Sequence, residues 1–288
     1  MFGWFKKKEE TPQEPMQPAR SAAFQAFAAQ FQPEELDVLA VTGASGFSGA
    51  KAGKEEFWTA SMPLTAWMEE DSPDICRGEF QLTTLCDDRL LEYLRTRTPR
   101  DFIIRFRARA SEDGKSLLLL NIPEPGFDPD LKAILEEQKK PVSFWAEGLG
   151  TFTLNRQVDW FEAEVDWLGH KVSLSFDREE RGEMEKAQQT ARALLEGAED
   201  WDRRVREYAA GQLLELANDW AENTGEEDSE PEAVTREQFM ARMELEAVQV
   251  EPDGGFEFWF GDGEMFYGHS IHVTGSLAAG PDRAQMEG

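Results

Sequence analysis

In WFEAEVDW the acids Glu162, Glu164 and Asp166 alternate with Phe161, Ala163, Val165 and Trp167, and Ser173 and Ser175 follow in KVSLSF. In a strand, alternation by two projects all three carboxylates from one face. Such a face can bind a cation or a basic partner, and it does acid–base chemistry if a cleft raises the pKa of one carboxyl. A solvated sheet face has the same pattern.

Three further sets of residues have types suited to chemistry. Arg105, Arg107 and Arg109 share one face of a strand whose other face carries Phe102, Ile104, Phe106 and Ala108. This stripe suits an anion, although cross-strand ion pairs are favoured because acidic residues dominate the surrounding segment. In MFYGHSIHVTG, strand alternation places His269 with Met265, Tyr267 and Ile271, and His272 on the opposite face, so the two imidazoles diverge. His269 is expected in the core, His272 at the surface and His170 in a turn.

Gly43, Gly46 and Gly49 in VTGASGFSG follow the apolar run LDVLAV, as in a dinucleotide-binding loop. That chemistry needs a helix opening on the glycines, so that its free amides face a pyrophosphate, and an acid some 20 residues on for the ribose. AKAGKEEFWTASMPLTAW instead alternates, and no tyrosine is followed four residues later by lysine. The stretch is expected to be a loop whose glycines allow positive φ. No cofactor is expected.

The elements that position these residues fall into two groups. After the proline-containing TPQEPMQPA, Phe24, Phe27 and Phe31 recur at helical spacing. LDVLAVTG, EFWTASMPLTAW and RGEFQLTTL then read as strands, DDRLLEYLRTR as a helix capped by Asp87, and DFIIRFRARA and KSLLLLNI as strands joined by an Asp113-Gly114 turn. Three strands, a helix and two strands is the element order of the oligonucleotide/oligosaccharide-binding (OB) barrel.

Beyond Pro123, Pro125 and Pro129 come a charged helix and three strands. A helix with Trp201, Val205, Ala209, Leu213, Leu216 and Trp220 along one stripe follows, then the acidic loop ENTGEEDSEPE, a short helix and three more strands. The predicted fold is α+β. A flexible N-terminus spans 1–20, a docking helix 21–34, an OB-like β domain 35–125, a linker helix 126–147, and an α+β domain of two antiparallel meanders with helices between them 148–288.

The 288-residue chain carries 30 basic and 57 acidic side chains, a net charge of −27 that disfavours phosphate backbones and anionic membranes. Cys76 and Cys86 specify neither a zinc ribbon nor a disulfide framework. The start, MFGWFKKKEE, lacks the apolar run of a signal peptide, so a cytoplasmic location is expected, with no stable membrane association from Phe2, Trp4 and Phe5.

GTFTLNRQVDWFEAEVDWLGHKVSLSF, PDGGFEFWFGDGEMFYGHSIHVTGSL and AAGPDRAQMEG together resemble the bacterial domain-of-unknown-function 2262 family, over about residues 148–288. VTGASGFSGAKAGKEEFW and EEQKKPV resemble the N-terminal region that accompanies that domain. The resemblance implies no activity and carries no catalytic residues. The leading expectation is therefore an acidic protein-binding module, of the kind immunity or antitoxin proteins use against basic effectors. The alternative is a metal-assisted hydrolase or other enzyme using Glu162, Glu164, Asp166 and a histidine. A nicotinamide-dependent dehydrogenase stands last.

Overall fold

The run LDVLAVT is apolar at consecutive positions, more than a half-buried strand requires. In the computed structural model, which describes residues 22–53, 55–224 and 233–288, strand β1 (Leu36–Thr42) is covered on both sides. Val38 and Ala40 face the interior of a barrel, while Leu39 and Val41 pack under a helix outside it.

The chain divides between Lys140 and Pro141 into two units. In the first, β1, β3 (Trp58–Glu69), β4 (Cys76–Cys86), β6 (Ser116–Leu119) and β5 (Ile103–Ala110) pair in that order, and β5 closes back on β1. All these pairings are antiparallel except β4 with β6. Short β2 (Ser48–Ala50) and β7 (Glu124–Pro125) flank the ring. The closed five-strand ring and the helix between its third and fourth long strands make this the predicted OB-like barrel. That helix, α2 (Asp88–Arg97), is capped by the Asp87 carboxylate, which accepts from Leu90 N at 2.8 Å, and it sends Leu90, Leu91 and Leu94 into the barrel core.

Two boundaries differ from the sequence reading. Helix α1 spans only Ala22–Ala28; Phe24 and Ala28 pack on Leu118, whereas Phe31 has left the helix and bridges Ser111. The segment read as a linker helix holds α3 (Pro129–Gln138), which Asp128 caps and which packs Leu131 and Leu135 on Leu39, Val41, Ala66 and Met68. Those two leucines, four apart on one helix face, tie α3 to the barrel. The stretch 1–20, expected to be flexible, and most of the acidic segment ENTGEEDSEPE lie outside the described residues.

The second unit is one eight-stranded sheet, ordered β15-β14-β13-β12-β11-β10-β9-β8. Strands β8 (Ser143–Ala146), β9 (Gly150–Asn155), β10 (Trp160–Trp167) and β11 (His170–Asp177) form one meander. Strands β12 (Glu244–Val250), β13 (Gly255–Gly261), β14 (Ser270–Ser276) and β15 (Gly280–Glu287) form the other. The meanders join through a short parallel pairing of β11 with β12, and the crossover runs through α4 (Arg181–Glu196), α5 (Ala198–Thr224) and α6 (Arg236–Arg242). Each meander has one strand more than expected. The extra strands, β8 and β15, are the sheet's two edges, one short and the other rich in polar residues, as edge strands tend to be.

Helix α5 buries Trp201, Val205, Ala209 and Leu213 of the predicted stripe, with Leu216 and Trp220 half-buried against the same core. They pack with a layer of aromatic rings from the sheet, including Phe152, Phe176, Phe256, Phe258 and Phe260, each worth about 1.5–3 kcal/mol on burial. Among the described residues, no helix is long and apolar enough to cross a membrane.

Candidate functional site

The alternation in β10 buries Phe161, Ala163, Val165 and Trp167 in the core and leaves Glu162, Glu164 and Asp166 on the opposite face. The β10–β11 register sets Glu162 beside Ser175 and Glu164 beside Ser173, and the parallel strand sets Gln249 beside Ser175. Thus all five sequence-derived residues lie in two neighbouring rows. Glu162 accepts from Trp160 Nε1 at 3.1 Å and Asn155 Nδ2 at 3.3 Å, Glu164 pairs with Lys171 at 3.3 Å, and Asp166 accepts from Gly169 N at 3.0 Å in the turn. Glu164 and Asp166 are exposed, Glu162 half-buried, and Ser175 is covered while Ser173 is open.

Alternate residues of a strand stand about 6.8 Å apart, too far for neighbouring carboxylates to share one proton. Among the described residues, no group of three or more His, Cys, Asp or Glu side chains is disposed to hold a metal ion. The arrangement instead offers an anionic surface.

Sequence reasoning missed a continuation of that surface. At the carboxyl ends of β11 and β12, Asp177, Glu179, Glu183, Glu251 and Asp253 line a cleft of about 420 Å³. Burial, and then the like charges of Asp253, Glu257, Asp177 and Glu179, push the Glu251 carboxyl above its ordinary range. Asp177 shares the open face with Ser173 and Ser175 by alternation, while Glu183, Met184, Lys186 and Ala187 of α4 form the cleft's other wall, so the cleft adjoins the carboxylate rows at the end of the sheet. On the outer strand β8, Trp145 is 68% exposed on the same face, opposite Thr151.

The histidines reverse their expected places. His272 is buried, stacked on Trp259 with ring centroids 3.9 Å apart, and Glu257 and Glu287 face its two nitrogens. His269 is half-buried, with Nδ1 2.5 Å from the Phe266 carbonyl and its ring edge-on to Trp220, and His170 is exposed. For His269 the cause is Asp262, whose carboxylate accepts from the amides of Glu264, Phe266 and Gly268. This gathers residues 262–269 into a loop with positive φ at Gly263, Glu264, Tyr267 and Gly268, so the strand begins only at Ser270. An aspartate followed by closely spaced glycines was the available signal.

In the barrel, the arginine stripe is ion-paired throughout. Arg105 meets Glu124 at 3.2 Å and Glu70 at 3.5 Å, while Arg107 and Arg109 meet Glu35 at 3.6 and 3.0 Å. The glycine stretch opens no helix: Ser48–Ala50 pairs with β3. Nor do Gly43, Gly46 and Gly49 adopt positive φ, contrary to expectation. What requires glycine is space, since a Cβ on Gly49 would lie 2.6 Å from Leu91 Cδ2 and one on Gly43 3.0 Å from Pro63 Cγ.

Comparison with known proteins gave no match to a curated protein or to a solved structure. Residues 23–138, the barrel with its flanking helices, match the model of a domain of unknown function (DUF7021). Residues 146–286 match that of an uncharacterized protein conserved in bacteria (DUF2262), so the second unit is similar to that family and the chain joins two domains of unknown function.

Proposed function

We propose that the second unit is a docking module for a basic protein, with the open face of its sheet as the contact. The observation behind this reading is that Glu162, Glu164 and Asp166 lie together on the face turned away from the helices, with the acidic cleft around Glu251 beside them at the carboxyl ends of β11 and β12, against α4. Long-range attraction to such a field speeds encounter, and the exposed Trp145 supplies the kind of aromatic anchor on which binding energy concentrates. Occlusion of a basic effector, as immunity and antitoxin proteins perform, fits this chemistry. The net charge of −27 argues for a protein partner over nucleic acid.

The test is capture of partners from a bacterial lysate at low and high salt, comparing wild type with the Glu162→Gln, Glu164→Gln, Asp166→Asn variant. A partner of high isoelectric point, released by salt and absent with the variant, is expected. Equal capture by both proteins would overturn the assignment of this face. Absence of any partner together with stoichiometric metal uptake would move the reading to a metal-assisted enzyme.

A further inference from the structure

We infer that a second cleft in this unit, at the amino ends of β11 and β12, binds a small organic anion with an apolar body. The two strands pair only from Ser173 to Ser175 and from Ala247 to Gln249, so their amino ends are free to part. The opening, about 840 Å³, has α5 and α6 residues for one wall and lies within the range of small-molecule sites, roughly 300–1,000 Å³. Its apolar lining comes from Trp167, Val172, Met240, Met243 and Leu245.

The anion would meet Arg206. Its Nε donates to Asp202 Oδ2 at 2.7 Å, its Nη1 donates to the carbonyls of Met240 and Met243, and its guanidinium lies 5.1 Å from the Phe260 ring centroid. None of these contacts uses Nη2, and the side chain retains 20% of its exposure in the cleft wall. Asp202, which would repel an anion, is compensated by Arg206 and by the Trp167 indole N–H at 3.3 Å. His170 and Lys171 line the same cleft from the strand side, Lys171 with its ammonium also paired to Glu164 at 3.3 Å. Two basic side chains, Arg206 and Lys171, and two acidic ones, Asp202 and Glu244, thus line the apolar hollow, and the anion is assigned to Nη2 of Arg206.

Leu168 adds a second, independent indication. It sits at φ +55°, beside Gly169 at φ +88°, in the two-residue turn closed by Trp167 and His170, and it is 45% exposed while lining the cleft. Such turns favour asparagine or aspartate at that position. Backbone strain of this kind persists where the side chain has a use, and an exposed leucine at the rim of an apolar hollow is suited to covering a ligand.

The test uses 8-anilinonaphthalene-1-sulfonate as probe, with decanoate and 1-decanol as competitors. One saturable site per chain is expected, with decanoate displacing the dye at least tenfold better than decanol. Ala241→Trp, an exposed position lining the cleft, should weaken dye binding at least tenfold. His170→Gln with Lys171→Gln should erase most of decanoate's advantage and leave decanol unchanged. Dye binding without saturation, or unaltered in Ala241→Trp, overturns the inference, as does equal competition by acid and alcohol. Both variants are read against wild-type melting curves, and the double variant, confined to exposed side chains, keeps the test intact if the tryptophan unfolds the protein.

Discussion

Oε1 of Glu287 lies 3.1 Å from Nδ1 of His272, whose other nitrogen is 2.8 Å from Glu257 Oε2, so one imidazole joins β13, β14 and the outermost strand β15. The amide of Gln285, and then His272, hold the Glu287 carboxyl below the usual glutamate range. A folded-state value below the unfolded one stabilises the fold above the ordinary glutamate pKa, and this is lost as pH falls through the folded value. Glu287→Gln should therefore lower stability at neutral pH and flatten the acid side of the profile, the two proteins converging at low pH. Parallel acid limbs in urea titrations of the two proteins would remove the link.

The two cysteines should differ sharply in reactivity. Cys76 is exposed, whereas Cys86 is fully buried in the barrel core, and burial first, then the charge of Asp87, pushes its thiol up to about 11. Because the thiolate is the nucleophile, Cys86 is protected both by access and by protonation. With Ellman's reagent at pH 8, one thiol per native chain should react promptly and the second only after unfolding in urea. Two thiols reacting at one rate in the native protein would contradict the packing of β4 and α2.

Gly49 distinguishes packing from cofactor chemistry. A methyl group there would sit 2.6 Å from Leu91 Cδ2, and Leu91 is itself buried, so it has little room to retreat. Gly49→Ala should destabilise the first unit by about 1–3 kcal/mol, the usual range for overpacking. A pyrophosphate-binding glycine would instead make the melting temperature respond to NAD or NADP. The expectation is no shift with either dinucleotide in wild type, and a lower melting temperature in the variant.

The barrel was legible because its signals are local. Asp87 marks a helix start, Asp113-Gly114 a hairpin, and the run from Leu36 to Thr42 a strand. The carboxylate face was legible for the same reason, since alternation along β10 needs no knowledge of distant residues. His272 was not, because its burial depends on Glu257 and Glu287 being brought alongside by strand pairing. The acidic cleft was hidden likewise: Asp177 and Glu251 are far apart in sequence, and the short parallel pairing of β11 with β12 brings them together. His269 was misplaced by a local rule applied past its range, for alternation stops where Asp262 folds the chain into a loop.

Leu168 shows where local preference gives way. A non-glycine residue in the left-handed region costs about 1 kcal/mol or more, and asparagine tolerates it better than leucine because its short side chain bonds locally. Leu168→Asn should therefore stabilise the protein by about 1 kcal/mol, roughly 2–4 °C in Tm for a domain of this size. If the leucine serves the cleft, the same change should weaken binding of the naphthalene sulfonate while Tm rises. Stability and binding moving in opposite directions is the signature of strain retained for a ligand. A variant whose Tm falls would show that the leucine contributes packing the turn needs, and would remove one of the two supports for a ligand site there.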